Sequence, residues 1–283
     1  MCACVPTMRA LLLLAIIVNA TAVGIGNIML LVIGSVTRPE LHHAQMRSFG
    51  SEFRERILVV EDDAECVLCS DGGDFERSDL FSDGTLPFSG RSDGYYCSLS
   101  RNLQGLRLAL RSEAGQRARW VLMIDDDTFV NVRSLLHMLS ARDDERDPIV
   151  IGSAWGGGAG YAFSRAALDA LLTPVTREHC MWNASTAAWM RKANTDTVLD
   201  ACISAQLGGT LCNSPADWAI KRCVDAAGAM LHPQPDAMQQ DCQWAEAMPA
   251  PSPEWMRAMV TCHHVESKTM MALARHAYRY SAL

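Results

Sequence analysis

No block of lysine and arginine occurs in the 283 residues, and 25 basic side chains stand against 32 acidic ones for a net charge of −7. That excludes nucleic acid as a partner, since its backbone demands clustered cations. It leaves room for an anionic small molecule if a bound metal supplies the positive charge in one cleft. Past residue 38 there is no internal repeat and no low-complexity stretch, and 49% hydrophobic residues with 20% charged ones exclude disorder, collagen and coiled coil. The apolar material suffices for one large core or two small ones. Cys66 and Cys69 form a C-x-x-C with no second pair at zinc-ribbon distance, so they read as strand cysteines. Eleven cysteines are too sparse for a disulfide miniprotein, but they suit an oxidising compartment.

Charge is also missing between Arg9 and Arg38, where Ala10–Val23 is apolar apart from one Asn and one Thr. This is a membrane-entry segment. A run continuing to Ile33 would be long enough to span a bilayer, whereas a short apolar region ending in A-T-A at Ala20–Ala22 would be a cleavable signal peptide. In a third reading the membrane segment stops near residue 27 and Ile28–Gly34 is the first buried strand. Each reading places the rest of the chain in the secretory lumen.

Downstream, FRERILVVEDD and AECVLCSDGG read as short strands and Asp71–Gly94 as a polar loop. A helix is predicted over Asn102–Leu110, a strand ending in three carboxylates at WVLMIDDDTFV, and a helix over Arg133–Ala141. A strand over Pro148–Gly152 follows, then a helix capped by Ser164. This alternation predicts a mixed α/β sheet flanked by helices.

Two acidic strand ends offer chemistry. RILVVEDD resembles the opening of a receiver domain, but the next strand-terminal acid, Asp125, lies 62 residues beyond Asp63, too far for one doubly wound unit. A strand ending in solvated acids is the preferred reading. Asp125, Asp126 and Asp127 are different, because three adjacent carboxylates repel one another and a divalent cation with oxygen ligands relieves the repulsion. On an extended chain Asp125 and Asp127 point the same way, so both could serve one ion. The alternative is a solvated acidic turn.

The longer pattern resembles the Fringe and core 1 β1,3-galactosyltransferase group of GT-A glycosyltransferases, with the closer likeness to the latter. It is carried by W-V-L-M-I-D-D-D-T-F-V at Trp120–Val130, G-G-A-G-Y-A-F-S-R-A-A-L at Gly157–Leu168, Cys180 and T-D-T-V-L-D-A-C at Thr195–Cys202. H-P at His232–Pro233 and V-T-C-H-H-V-E-S-K-T-M at Val260–Met270 continue it. At the front, V-I-G-S-V-T-R-P-E-L with Met46–Phe49 looks like the family's first strand and following helix. The resemblance implies a single GT-A-like luminal domain over 28–283 after an N-terminal tail and membrane segment over 1–27. It would be a single-pass type II protein of the Golgi or ER membrane.

The implied activity is inverting, manganese-dependent transfer of a hexose, galactose in the closer relatives, from a UDP-sugar to a glycan or glycoprotein acceptor in β1,3 linkage. Asp125 and Asp127 are the implied ligands of Mn2+, with His263 as the third. Asp126, Gly157, Gly158, Gly160 and Tyr161 join Asp125 and Asp127 in the cofactor-binding set, and Asp196 is the implied catalytic base. For the glycines, a tight turn before the helix is the alternative to close approach by a ligand. His264 stands where the relatives carry an aromatic residue and is taken as packing; His42 and His43 are read as ordinary residues. The resemblance also implies a disulfide between Cys180 and Cys202, enclosing the glycosylation sequon at Asn183. The sequence departs from the relatives in the short stretch Ser153–Trp155, in Thr195 for an acid and in Asp200 for a glycine. A catalytically inactive relative acting as a chaperone or binding protein of the secretory pathway is the alternative.

Overall fold

Six consecutive β-branched and long apolar residues at Ile28–Ile33 favour a strand buried on both faces, and in the computed structural model they form β1, buried throughout. The structure describes residues 23–35, 38–53, 56–60, 93–142, 146–153, 158–175, 197–208, 216–239, 242 and 251–281. The calls on the membrane segment before residue 23, on Cys66, Cys69, Gly157, Cys180 and Asn183, and on Asp196 lie outside them. Val23 is buried in the core, and Ile25–Asn27 forms a single 3-10 turn leading into β1.

β1 is flanked in parallel by β2 (Ile57–Val60) and β3 (Trp120–Asp125). Beyond β3 lie β6 (Tyr161–Ser164), β5 (Ile149–Gly152) and β7 (Met230–Pro233), giving the order β2-β1-β3-β6-β5-β7. β6 runs antiparallel to both its neighbours. An antiparallel strand inside the sheet excludes the all-parallel receiver arrangement and makes the sheet mixed, as the alternation of elements predicts. Alternate residues of each strand face opposite layers. Met29, Leu31, Ile33, Val121 and Met123 pack under one helical layer, whereas Ile28, Leu30, Val32, Trp120 and Leu122 pack under the other.

The first layer contains α2 (Asp93–Arg111), α5 (Arg165–Leu171), α6 (Val198–Gly208) and α7 (Ala216–Ala226). Ser164 caps α5 by accepting from Ala167 N. α2 starts nine residues before the predicted Asn102 and absorbs the end of the predicted 71–94 loop. The second layer contains α1 (Pro39–Gln45), which continues through a π-helical turn at Met46–Gly50, together with α4 (Val132–Ser140) and α9 (Ser267–Ser281). Among the described residues no helix is long and apolar enough to cross a membrane.

Two disulfides tie the outer elements. Cys202 on α6 bonds Cys223 on α7, with Cα atoms 5.8 Å apart. The expected Cys180–Cys202 bridge is therefore corrected. The packing of α6 on α7 under the sheet brings Cys223 to Cys202, a contact between two helices that sequence spacing does not encode. Cys242 bonds Cys262 across 5.7 Å, holding residue 242 to β9 (Thr261–Cys262). β9 belongs to a small second sheet with β4 (Phe129–Val130) and β8 (Met238–Gln239). That sheet brings the end of the chain to the end of β3.

Candidate functional site

β3 runs out of the sheet at Asp125, and the next two acids lie in a turn before β4. Backbone bonds from three directions fix this turn. Asp126 N donates to Ile33 O at the end of β1, Asp125 N to Gly158 O, and Val265 N to Asp127 O. Gln45, fully buried at the end of α1, donates its Nε2 to the carbonyls of Asp125 and Thr128 at 2.9 and 3.0 Å. Thr128 Oγ1 donates to Gly158 O at 2.7 Å.

The turn sorts the three carboxylates. Asp125 Oδ2 and Asp127 Oδ1 lie 3.7 and 3.0 Å from His263 Nε2. They converge because the chain bends after Asp125; the extended-chain alternation expected from the sequence is not the reason. Asp126 goes the other way. It is 1% exposed, takes Arg38 Nη2 at 2.6 Å on Oδ1 and accepts from Ser35 N on Oδ2, so both its oxygens serve the fold. Burial pushes the Asp126 carboxyl up to about 6, against the pull of Arg38. Arg38 also reaches Asp127 Oδ2 at 3.3 Å. It supplies part of the positive charge that three adjacent carboxylates need.

Burial alone would raise the Asp127 carboxyl, but His263, Arg38 and His264 outweigh it and hold the group below its usual range. Asp127 Oδ1 is buried and faces His263 Nε2 at 3.0 Å, a contact whose angle is poor for a hydrogen bond. A buried carboxylate oxygen facing an imidazole, with a second carboxylate near the same nitrogen, fits a divalent cation. His263 is 8% exposed and held from both sides, its N–H donating to Gln239 O and its carbonyl accepting from Cys242 N.

Among the described glycines, Gly158 and Gly160 have different jobs. A Cβ on Gly158 would overlap the His263 ring, so the missing side chain sets where that imidazole stands. Gly160 has φ +106° and leaves no room beside Ile124 and the Met123 carbonyl, a backbone shape that favours glycine. Tyr161 is 2% exposed, with its ring against Gly152 and near Phe163. It packs in the core on the helical side of β6.

His264 departs from the packing role expected of it. It is exposed, with φ +59°, and its ring centroid is 3.9 Å from that of His263. Asp127, His263 and His264 each bring a ligand atom within 4.8 Å of the others. Arg38 and Gln45 were invisible as site residues in the sequence. The helix that carries Gln45 reads P-E-L-H-H-A-Q, so one more polar residue at its end gives no signal.

With this geometry, comparison with known proteins concentrates on the same stretch. Residues 96–155 match the Fringe-like family. They contain most of α2, all of β3 and the whole acid turn. Beta-1,3-glucosyltransferase of Mus musculus is 32% identical over 108 residues, 34% of this chain and 20% of that protein. Beta-1,3-glucosyltransferase of Homo sapiens is 30% identical over 111 residues, 35% of this chain and 20% of that protein. The chain thus spans about a fifth of the length of the curated relatives it matches. Among solved structures, a glycosyltransferase involved in the glycosylation of the major capsid of PBCV-1 aligns over 90% of this chain and 100% of its own. The TM-score is 0.43 and the identity 10%, a distant likeness. The similarity is to the Fringe-like glycosyltransferases as a group, and these matches do not carry the finer likeness to core 1 β1,3-galactosyltransferase.

Proposed function

We propose that the protein is an inverting, metal-dependent glycosyltransferase that moves a hexose from a UDP-sugar to a hydroxyl of a glycan or glycoprotein in β1,3 linkage. The observation that carries this reading is the convergence of Asp125, Asp127 and His263 at the end of β3, with both carboxylates within 4 Å of one imidazole nitrogen. A divalent cation held there, manganese by the sequence resemblance, supplies positive charge to the diphosphate as the leaving group gains negative charge. The protein's own residues do the rest. Gly158 and the Gln45 clamp hold the ligands in place, and the Arg38–Asp126 pair keeps the turn from splaying under its own charge.

Inversion requires the acceptor oxygen to attack the anomeric carbon as the bond to UDP breaks, with the hydroxyl proton passing to a base. Asp196 is assigned that role by its place in T-D-T-V-L-D-A-C. The donor is a galactosyl nucleotide by the sequence resemblance, or a glucosyl one by analogy with the named relatives. In this reading the N-terminal segment anchors the catalytic domain in the lumen of the ER or Golgi, where protease protection on microsomes tests it. The deciding experiment is a screen of UDP-sugars for hydrolysis and transfer with and without Mn2+. Turnover of at least one donor that is lost on chelation supports the proposal; metal-independent turnover, or none with any UDP-sugar, refutes it.

A further inference from the structure

We infer that His264 is a second imidazole ligand of the metal centre, and that it widens the preference such sites already have for later first-row cations such as Co2+ and Zn2+ over Mn2+. The inference rests on the reading that Asp127 and His263 hold a cation. Along β9 and just past it an extended chain throws successive side chains to opposite faces, so a residue after His263 should point away from Asp127. It does not. His264 has φ +59°, in the left-handed region that residues with a Cβ enter at a cost, and this turns its ring to the same side as that of His263.

The His264 ring is exposed and lies against that of His263, inclined at 55° with centroids 3.9 Å apart. Histidine is among the residues that enter this backbone shape more readily, so the turn admits it, and the ring is left on the side where Asp127 and His263 meet. Metal–nitrogen bonds of about 2 Å place ligand atoms on one ion roughly 3–4 Å apart. The Asp127, His263 and His264 ligand atoms already lie within 4.8 Å of one another, a gap that a small rotation of an exposed ring closes. Two imidazoles with one or two carboxylates form a nitrogen-rich set, and such sets favour cobalt, nickel and zinc, whereas oxygen sets suit magnesium and manganese.

The test uses the full chain and the metal alone. Pulsed EPR of the Cu2+-loaded protein counts coordinated imidazoles, and calorimetry gives Co2+ and Mn2+ affinities. The variants are His264→Asn, which tolerates the left-handed backbone, and His264→Gly, which relieves it. Wild type should show two coordinated imidazoles and each variant one, with Co2+ affinity falling at least tenfold and Mn2+ affinity changing less than threefold. An unchanged imidazole count and Co2+ affinity in both variants overturns the inference, and if Asp127→Asn and His263→Ala still abolish binding, the metal centre stands without His264. If those two variants also bind normally, the centre itself is refuted together with the inference.

Discussion

Gly158 lies so close to the ring of His263 that a single methyl group would occupy the same space. The glycine also carries the carbonyl that receives Asp125 N and Thr128 Oγ1, so one residue connects the acid turn to the imidazole. Gly158→Ala should therefore move the ring and lower metal affinity by about 10- to 100-fold, the usual effect of disturbing a ligand's support. Calorimetric titration with Mn2+ and Co2+ measures it, and wild-type affinity in the variant would show that the ring position is unimportant.

Arg38 is the partner that makes a buried Asp126 tolerable. Removing the guanidinium leaves a carboxylate at 1% exposure with the Ser35 N–H and the weaker pull of Arg101. Because Arg38 itself is 44% exposed, the loss should be smaller than for a fully buried pair, about 2 kcal/mol of unfolding free energy in Arg38→Met. Urea denaturation reads it. Arg38→Met/Asp126→Asn should recover most of that loss, since no charge is then stranded.

A similar logic applies to Gln45. Its amide serves two carbonyls of the acid turn at once, and Gln45→Leu would leave both buried without that donor. We expect a destabilisation of about 1–3 kcal/mol, with metal affinity reduced because the turn loses its backing. A variant as stable as wild type would mean that the carbonyls find other donors.

The two disulfides separate stability from function. Each closes a loop of similar length, 21 residues for Cys202–Cys223 and 20 for Cys242–Cys262, and by chain entropy each contributes about 3 kcal/mol. Only the second adjoins His263. Cys242→Ser/Cys262→Ser should therefore weaken both stability and metal binding, whereas Cys202→Ser/Cys223→Ser should lower the melting temperature and leave metal binding alone. Equal effects on affinity would contradict the assignment of His263 as a ligand held by β9.

How much of this was readable beforehand follows the range of the interactions. β1, β3 and β5 were legible because apolar runs at Ile28–Ile33, Trp120–Asp125 and Ile149–Gly152 are local signals, as was the Ser164 cap. The gathering of Asp125 and Asp127 was expected for the wrong local reason, since a turn and not strand alternation brings them together. Arg38, Gln45 and the Cys223 partner of Cys202 were not legible. Their roles depend on contacts across 88, 80 and 21 residues, respectively, which no periodicity reports. Tyr161, named for the cofactor by its motif alone, lies in the core, a burial that the motif does not report.

The assignment of the base rests on a choice between two acids near the start of α6. Asp200 is already engaged: one carboxylate oxygen accepts from Thr197 Oγ1 at 2.9 Å and the other lies 3.5 Å from Arg107 Nη1 on α2. Thr197 Oγ1 in turn accepts from Asp200 N, so Thr197 and Asp200 close a reciprocal cap at the first turn. Asp196, the residue before Thr197 in the sequence, is the acid that the resemblance assigns to the transfer. Asp196→Asn should keep metal and UDP binding and the melting temperature near wild type yet lose transfer by about 10²- to 10⁴-fold, the usual contribution of a general base. Asp200→Asn should do the reverse, keeping transfer within a few-fold and losing only the ion pair with Arg107, since the amide oxygen still accepts from Thr197 Oγ1 and the capping N–H is backbone. A first-turn acid also complements the helix dipole, worth about 0.3–1 kcal/mol. If that were the whole role of Asp196, the asparagine variant would lose a little stability and retain more than a tenth of its transfer rate.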